Sequence, residues 1–79
     1  ENYEAYYYLG NYYADKRNYK KAINYYDLAI KYNLHYADAY YNRGEAKFYL
    51  HDKKGACADW KLAKKNGKQN LEDKLKFCK

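Results

Sequence analysis

This 79-residue chain lacks the features that would point to catalysis, a metal site or a membrane span. No apolar run approaches the length of a membrane span, and no signal peptide is visible. There is no glycine-rich phosphate loop and no Ser/His/Asp or Cys/His grouping at helical spacing. His35 and His51 fall in separate predicted turns, so with two dispersed cysteines they do not have zinc-ligand spacing. These absences predict no enzyme activity, no cofactor and no metal.

Proline is absent and glycine occurs only four times, whereas the chain has 14 Tyr, two Phe and one Trp. A tyrosine ring can fill a seam between helices while its hydroxyl meets water. A chain of which a third is charged can therefore still form a core. The length suits one small domain. Because the chain opens at Glu1 rather than at Met, we expect it to be a segment of a longer chain or a processed product.

Apolar side chains recur at helical spacing in five segments, which predicts an all-α fold of five helices. We expect helix N-caps at Asn18 and Asp52, and a helix stop at Gly67, where glycine is free to take the left-handed conformation. The short predicted turns make neighbouring helices antiparallel. The predicted helices are about Tyr3–Lys16, Tyr19–Tyr32, Tyr36–Leu50, Lys53–Asn66 and Gln69–Cys78.

The chain also repeats itself with a period of 34 residues. Gly10 and Gly44 are each followed twelve residues later by an alanine. Self-similarity at this period is the signature of a helical repeat array, in which each helix pair covers its neighbour. The residues that recur in step are Ala22, Tyr26 and Ala29 in the first copy and Ala56, Trp60 and Ala63 in the second.

These residues resemble the tetratricopeptide repeat (TPR) family, which implies a right-handed α-solenoid of antiparallel helix-turn-helix repeats. The resemblance covers nearly the whole chain and places it in a single domain, residues 1–79. It implies a first repeat at residues 3–36, a second at residues 37–70 and a capping helix at residues 69–79. The second repeat resembles a common bacterial variety of the family.

Four residues depart from the family pattern. Arg43 and Lys47 stand where the family usually has Leu and an aromatic residue, and Leu34 and Lys68 stand where it usually has Pro. The first two substitutions predict that the second repeat packs differently or lies against another surface. The missing prolines predict less sharp turns between repeats.

The resemblance implies a protein-interaction or scaffolding function, because the first helix of each TPR pair lines a concave groove. The groove positions are aromatic and polar, which suits an extended or helical peptide. Tyrosine is often energetically important at interfaces, since its ring is rigid and its hydroxyl can form hydrogen bonds. We expect a protein or peptide partner to contact Tyr7, Asn11, Tyr41, Asn42, Glu45 and Phe48.

Two other functions remain open. A lysine stripe on the outer face of the fourth predicted helix could bind nucleic acid such as RNA, although a solvated helix face explains the same lysines. Acidic residues in the groove oppose nucleic acid there. The chain could also be a structural spacer that packs on further repeats of a longer parent chain. The stripe consists of Lys61, Lys64, Lys65 and Lys68.

Cys57 and Cys78 are expected to be neighbours. Cys57 lies beside Ala56 on the side of the fourth helix that the last helix must cover, and Cys78 lies on the apolar stripe of that last helix. Ile23, the equivalent of Cys57 in the first repeat, should contact the region around Gly44, and Cys78 lies one repeat on from Gly44. We therefore expect a disulfide, with two reduced core thiols as the alternative. A bridged pair predicts an exported or periplasmic protein, and a reduced pair a cytoplasmic one.

Overall fold

The computed structural model describes residues 2–79, and these residues form five α-helices and no strand. The all-α prediction and the number of helices are therefore confirmed. Helices α1 and α2 pack together as one antiparallel hairpin, α3 and α4 as a second, and α2 packs on α3 between them. The helices are α1 (Tyr3–Asp15), α2 (Tyr19–Tyr32), α3 (Ala37–Tyr49), α4 (Lys53–Lys65) and α5 (Glu72–Phe77). Within residues 2–79, no helix has both the length and the apolar character needed to cross a membrane.

Side-chain caps start the second helix of each hairpin. The Asn18 carboxamide oxygen accepts a hydrogen bond from the backbone N–H of Lys21 at 3.3 Å. The Asp52 carboxylate accepts one from the backbone N–H of Gly55 at 2.9 Å. Both predicted N-caps are confirmed, and each contributes about 1 kcal/mol by satisfying a donor that the helix leaves free.

Left-handed backbone conformations follow three of the helices, α1, α3 and α4. Gly67, with φ at 106°, is the predicted stop after α4 and is confirmed. Arg17 and His51, 34 residues apart, take φ values of 62° and 67° at the same point of the two hairpin turns. Helix α5 begins at Glu72 rather than at Gln69, because Asn70 takes a left-handed φ of 64° that interrupts the helix.

The two hairpins pack their helices through a glycine and an aromatic ring at equivalent positions. Tyr26 and Trp60 are almost fully buried, and each lies against a glycine of the facing helix. A Cβ atom built on Gly10 would lie 2.5 Å from Cε1 of Tyr26, and one built on Gly44 would lie 2.7 Å from Nε1 of Trp60. Only glycine therefore lets the aromatic ring approach this closely. Six alanines are also buried in the core: Ala22, Ala29, Ala39, Ala46, Ala56 and Ala63.

A buried carboxylate explains why Arg43 and Lys47 replace apolar residues in the second repeat. Asp59 on α4 is only 2% exposed and accepts two hydrogen bonds from Arg43, at 2.9 and 2.7 Å. Lys47 lies 3.1 Å from the same carboxylate, and Arg43 also donates to Asp27 on α2 at 2.9 Å. Burial alone would lower the pKa of Arg43, but the hydrogen bonds and charges of Asp59 and Asp27 raise it. The second repeat thus packs differently, as predicted, through an ion network that joins three helices.

The last helix is fixed to α4 by the predicted cysteine pair. The sulfur atoms of Cys57 and Cys78 lie at bonding distance, 2.08 Å, and their Cα atoms are 5.6 Å apart. Leu75 packs against the buried cluster that contains Cys57 and Trp60, and Leu71, which is buried, belongs to the neighbouring cluster around Ala63. Helix α5 therefore covers the apolar side of α4 and the Trp60 ring.

Candidate functional site

A hollow of about 430 Å³ lies between the C-terminal halves of α1 and α3 and the start of α2. We call it the first hollow. Helices α1 and α3 open the two hairpins, so the hollow lies on the helices that the family resemblance assigns to a groove. Acidic, amide and tyrosine side chains line it, and no lysine or arginine does. These lining residues are Asn11, Asp15, Tyr19, Tyr26, Asn42, Glu45 and Tyr49.

Hydrogen bonds hold two amide side chains of the first hollow in fixed orientations. The Tyr26 hydroxyl donates to Oδ1 of Asn11 at 2.6 Å, and Nδ2 of Asn42 donates to the same oxygen at 2.9 Å. Nδ2 of Asn42 also donates to the Tyr7 hydroxyl at 3.1 Å. Burial, reinforced by the neighbouring Tyr7, raises the pKa of Tyr26, so its hydroxyl remains a neutral donor. Within residues 2–79, Nδ2 of Asn11 and Oδ1 of Asn42 have no protein partner.

A second hollow, of about 270 Å³, lies between α3 and α5 and shares Glu45 and Tyr49 with the first. Its wall is largely aromatic. The Phe48 ring lies 5.7 Å from the Phe77 ring and 6.0 Å from the Trp60 ring, measured between centroids. Both phenylalanines are exposed, so the two hollows form one surface that is polar at one end and apolar at the other.

The two repeats differ at the position that Asn11 occupies in the first repeat and Glu45 in the second. Glu45 occupies the position of Asn11, and Trp60 that of Tyr26, one period later. Glu45 forms an ion pair with Lys74 of α5 at 2.8 Å, and this pairing raises the pKa of Lys74. The buried indole N–H of Trp60 has no hydrogen-bond partner within residues 2–79. The hydrogen bond between Tyr26 and Asn11 in the first repeat is therefore replaced in the second by the ion pair between Glu45 and Lys74.

The structure brings most of the predicted partner residues together. Asn11, Asn42 and Glu45 line the first hollow, and Phe48 lines the second. Tyr7 reaches the first hollow through its hydrogen bond with Asn42. Their contact with a partner stays a prediction.

Tyr41, the sixth predicted contact, lines neither hollow. It packs against the buried cluster of Ala56, Cys57 and Trp60 on α4, and the ammonium groups of Lys68 and Lys74 lie 5.0 and 5.6 Å from its ring centroid. Sequence reasoning misses Tyr19, whose ring stacks on Tyr49 at 5.1 Å. Tyr19 begins a second helix, where the family resemblance places no groove residue, and no pattern in the sequence singles it out.

The lysine stripe is divided in the folded chain. Lys61, Lys64 and Lys65 are exposed on α4. Lys68 donates a hydrogen bond to Asp38 at 2.8 Å, which raises the pKa of Lys68 and neutralises its charge locally. Three lysines of the predicted stripe therefore remain as a continuous exposed row. Residues 2–79 contain no cluster of three His, Cys, Asp or Glu side chains that could hold a metal ion.

The chain was compared with known protein families and with curated proteins. Residues 3–36 match the family model described as tetratricopeptide repeat. This span holds the α1–α2 hairpin and the loop that leads to α3. No curated protein matches the sequence.

Proposed function

Because the chain belongs to the tetratricopeptide repeat family, we propose that it is an interaction module that binds a peptide segment of a partner protein. Repeats of this family generally mediate protein–protein interaction or scaffolding. The family is typically non-catalytic, and we propose the same of this chain. The binding surface would be the pair of hollows along α1, α3 and α5.

The observation that carries the proposal is the pair of oriented amides in the first hollow. Asn11 presents an N–H donor and Asn42 a carbonyl acceptor, and the hydrogen bonds described above fix both side chains. Every non-proline residue of a peptide offers one backbone acceptor and one backbone donor, which is the complementary pair. Side chains that are already held lose less conformational entropy when a ligand binds.

Panning a random peptide library against the immobilised domain tests the proposal. The test variant is Tyr49→Ala, since Tyr49 lines both hollows. Tyr12→Ala is the matched control: both tyrosines are 53% exposed, and each ring lies 5.1 Å from a neighbouring tyrosine ring. Tyr12 lines neither hollow.

Peptides enriched on the wild-type domain should still bind Tyr12→Ala and should lose binding to Tyr49→Ala. Circular dichroism of all three proteins checks that each is folded. Peptides that bind both variants equally well would contradict the proposed surface. No enrichment on a folded wild-type domain would contradict peptide binding itself and favour the structural-spacer function.

A further inference from the structure

We propose that the first hollow selects a basic side chain, arginine in preference to lysine, from the partner peptide; this inference rests on the proposed function. The whole chain carries a net charge of +6. The first hollow has the opposite character, because no cationic residue lines it and its two carboxylates are those of Asp15, which forms no ion pair within residues 2–79, and Glu45, which is paired with Lys74. A cationic group is the ligand chemistry that matches this local charge.

Asp15 is placed where a negative charge is unfavourable for the fold. It is the last residue of α1, and the C-terminal end of a helix carries a partial negative charge that favours cations. Every other helix within residues 2–79 has a lysine in its last turn, and α1 has no basic residue there. No ion pair within residues 2–79 involves Asp15. Lys16 is the C-cap of α1 and Arg17 follows it, but neither forms an ion pair with Asp15, so this carboxylate remains open to a cation from a partner.

The aromatic wall of the first hollow is also open to a cation. Tyr19 and Tyr49 stack nearly parallel, with an interplanar angle of 16°, and Tyr49 is half exposed. Elsewhere the chain places its own cations over aromatic rings, such as Lys21 over Tyr13 at 4.8 Å. Within residues 2–79, none of these cations lies over Tyr19 or Tyr49. Arg17 reaches only the hydroxyl of Tyr19, to which it donates a hydrogen bond at 3.4 Å. The Tyr49 ring therefore remains free to contact a cation from a partner.

Arginine fits this set of groups better than lysine does. A guanidinium is planar, stacks on aromatic faces and directs several N–H donors to separate acceptors. The acceptors that line the hollow without a partner of their own are the Asp15 carboxylate and Oδ1 of Asn42, and the Glu45 carboxylate beside them is already paired with Lys74. A phosphate or a C-terminal carboxylate would be repelled by the same carboxylates, and no cation among the lining residues could pair with it.

The test compares two variants that each remove one exposed carboxylate. Asp15→Asn changes the first hollow, and Glu72→Gln changes a helix end that does not line it. Asp15→Asn should leave the fold intact, because it removes an acid from a helix C-terminus. We expect the peptides enriched by panning to share a basic residue, which should be arginine more often than lysine. Their affinity should fall about three- to fivefold on Asp15→Asn, as for an exposed ion pair, and should not change on Glu72→Gln.

A second measurement uses a defined probe. We expect N-acetylarginine amide, but not the uncharged N-acetylcitrulline amide, to shift the side-chain NMR signals of Asn11 and Asn42 in the wild-type domain. Equal shifts from both probes, or from neither, would overturn the inference.

The outcomes separate this inference from the proposed function. Enriched peptides that are lost on Tyr49→Ala but share no basic residue would overturn the inference and leave peptide binding established. The same holds if they bind Asp15→Asn and Glu72→Gln with equal affinity. If a folded domain enriches no peptide, both proposals fail together.

Discussion

Breaking the Cys57–Cys78 bridge should release α5 while the two hairpins stay folded. The bridge joins residues 21 apart in sequence, and closing a loop of this length stabilises a fold by about 3 kcal/mol in the chain-entropy treatment. Helix α5 has six residues, far fewer than an isolated helix needs to persist in water. It packs mainly on α4, so the loss of the bridge acts on α5 first.

The single tryptophan reports this change directly. Trp60 is 2% exposed, belongs to the same buried cluster as Cys57, and has the Lys74 ammonium 4.9 Å from its ring. Adding a reductant should shift its fluorescence emission to longer wavelength and lower the Tm. The far-ultraviolet circular dichroism should change only slightly, because α5 is the shortest of the five helices in residues 2–79.

The double variant Cys57→Ala/Cys78→Ala is the control. It should behave as the reduced wild-type protein does and should not respond to the reductant. Unchanged emission and Tm after complete reduction would refute the reasoning, because α5 would then be held without the bridge. Loss of most of the helical signal would refute it in the other direction, since the hairpins would then depend on the bridge.

Three further predictions concern the core and the pH dependence. Asp59→Asn should lower the free energy of unfolding by about 2–3 kcal/mol in urea denaturation, because two partly buried cations lose their shared partner; the half-exposed Asp27→Asn should cost only about 0.5 kcal/mol. Gly10→Ala should lower the Tm, because strain of about 2 kcal/mol against the Tyr26 ring exceeds the ~1 kcal/mol that alanine gains within a helix. Burial, with the neighbouring Tyr7, raises the pKa of Tyr36 from 10.0 to about 12, so the unfolded chain loses this proton first. The contribution of Tyr36 to the free energy of unfolding should therefore be constant below pH 10 and fall between pH 10 and pH 12. Urea titrations at several pH values should show a shallower fall for Tyr36→Phe than for the wild-type protein.

The fold is predictable because its determinants are local and recur. Helical spacing locates each helix, and the 34-residue period aligns the two glycine–aromatic contacts, Gly10 with Tyr26 and Gly44 with Trp60. The turn geometry is less predictable. Arg17 and His51 take left-handed conformations that a sequence reading assigns to glycine, because the hairpin geometry outweighs the local preference of these residues.

The Asp59 network shows what a single sequence does not reveal. Arg43 and Lys47 are visible as departures from the repeat pattern, and the prediction of altered packing follows from them. Their shared partner lies on the next helix, 16 residues from Arg43, and nothing in the spacing distinguishes it from a solvated aspartate. Only the packing of α3 on α4 shows that this carboxylate is buried and that both cations serve it.

The difference between the repeats also explains why the charge of the first hollow must be tested at Asp15. Asn11 and Glu45 occupy equivalent positions, but each has its partner on the helix that comes after its own hairpin, and these two helices differ. The helix after the first hairpin is α3, from which Asn42 donates a hydrogen bond to Asn11. The helix after the second hairpin is α5, from which Lys74 forms an ion pair with Glu45. Any change at Glu45 therefore disturbs the attachment of α5 as well as the hollow. Asp15 forms no ion pair within residues 2–79, so its substitution changes the charge offered to a ligand and little else.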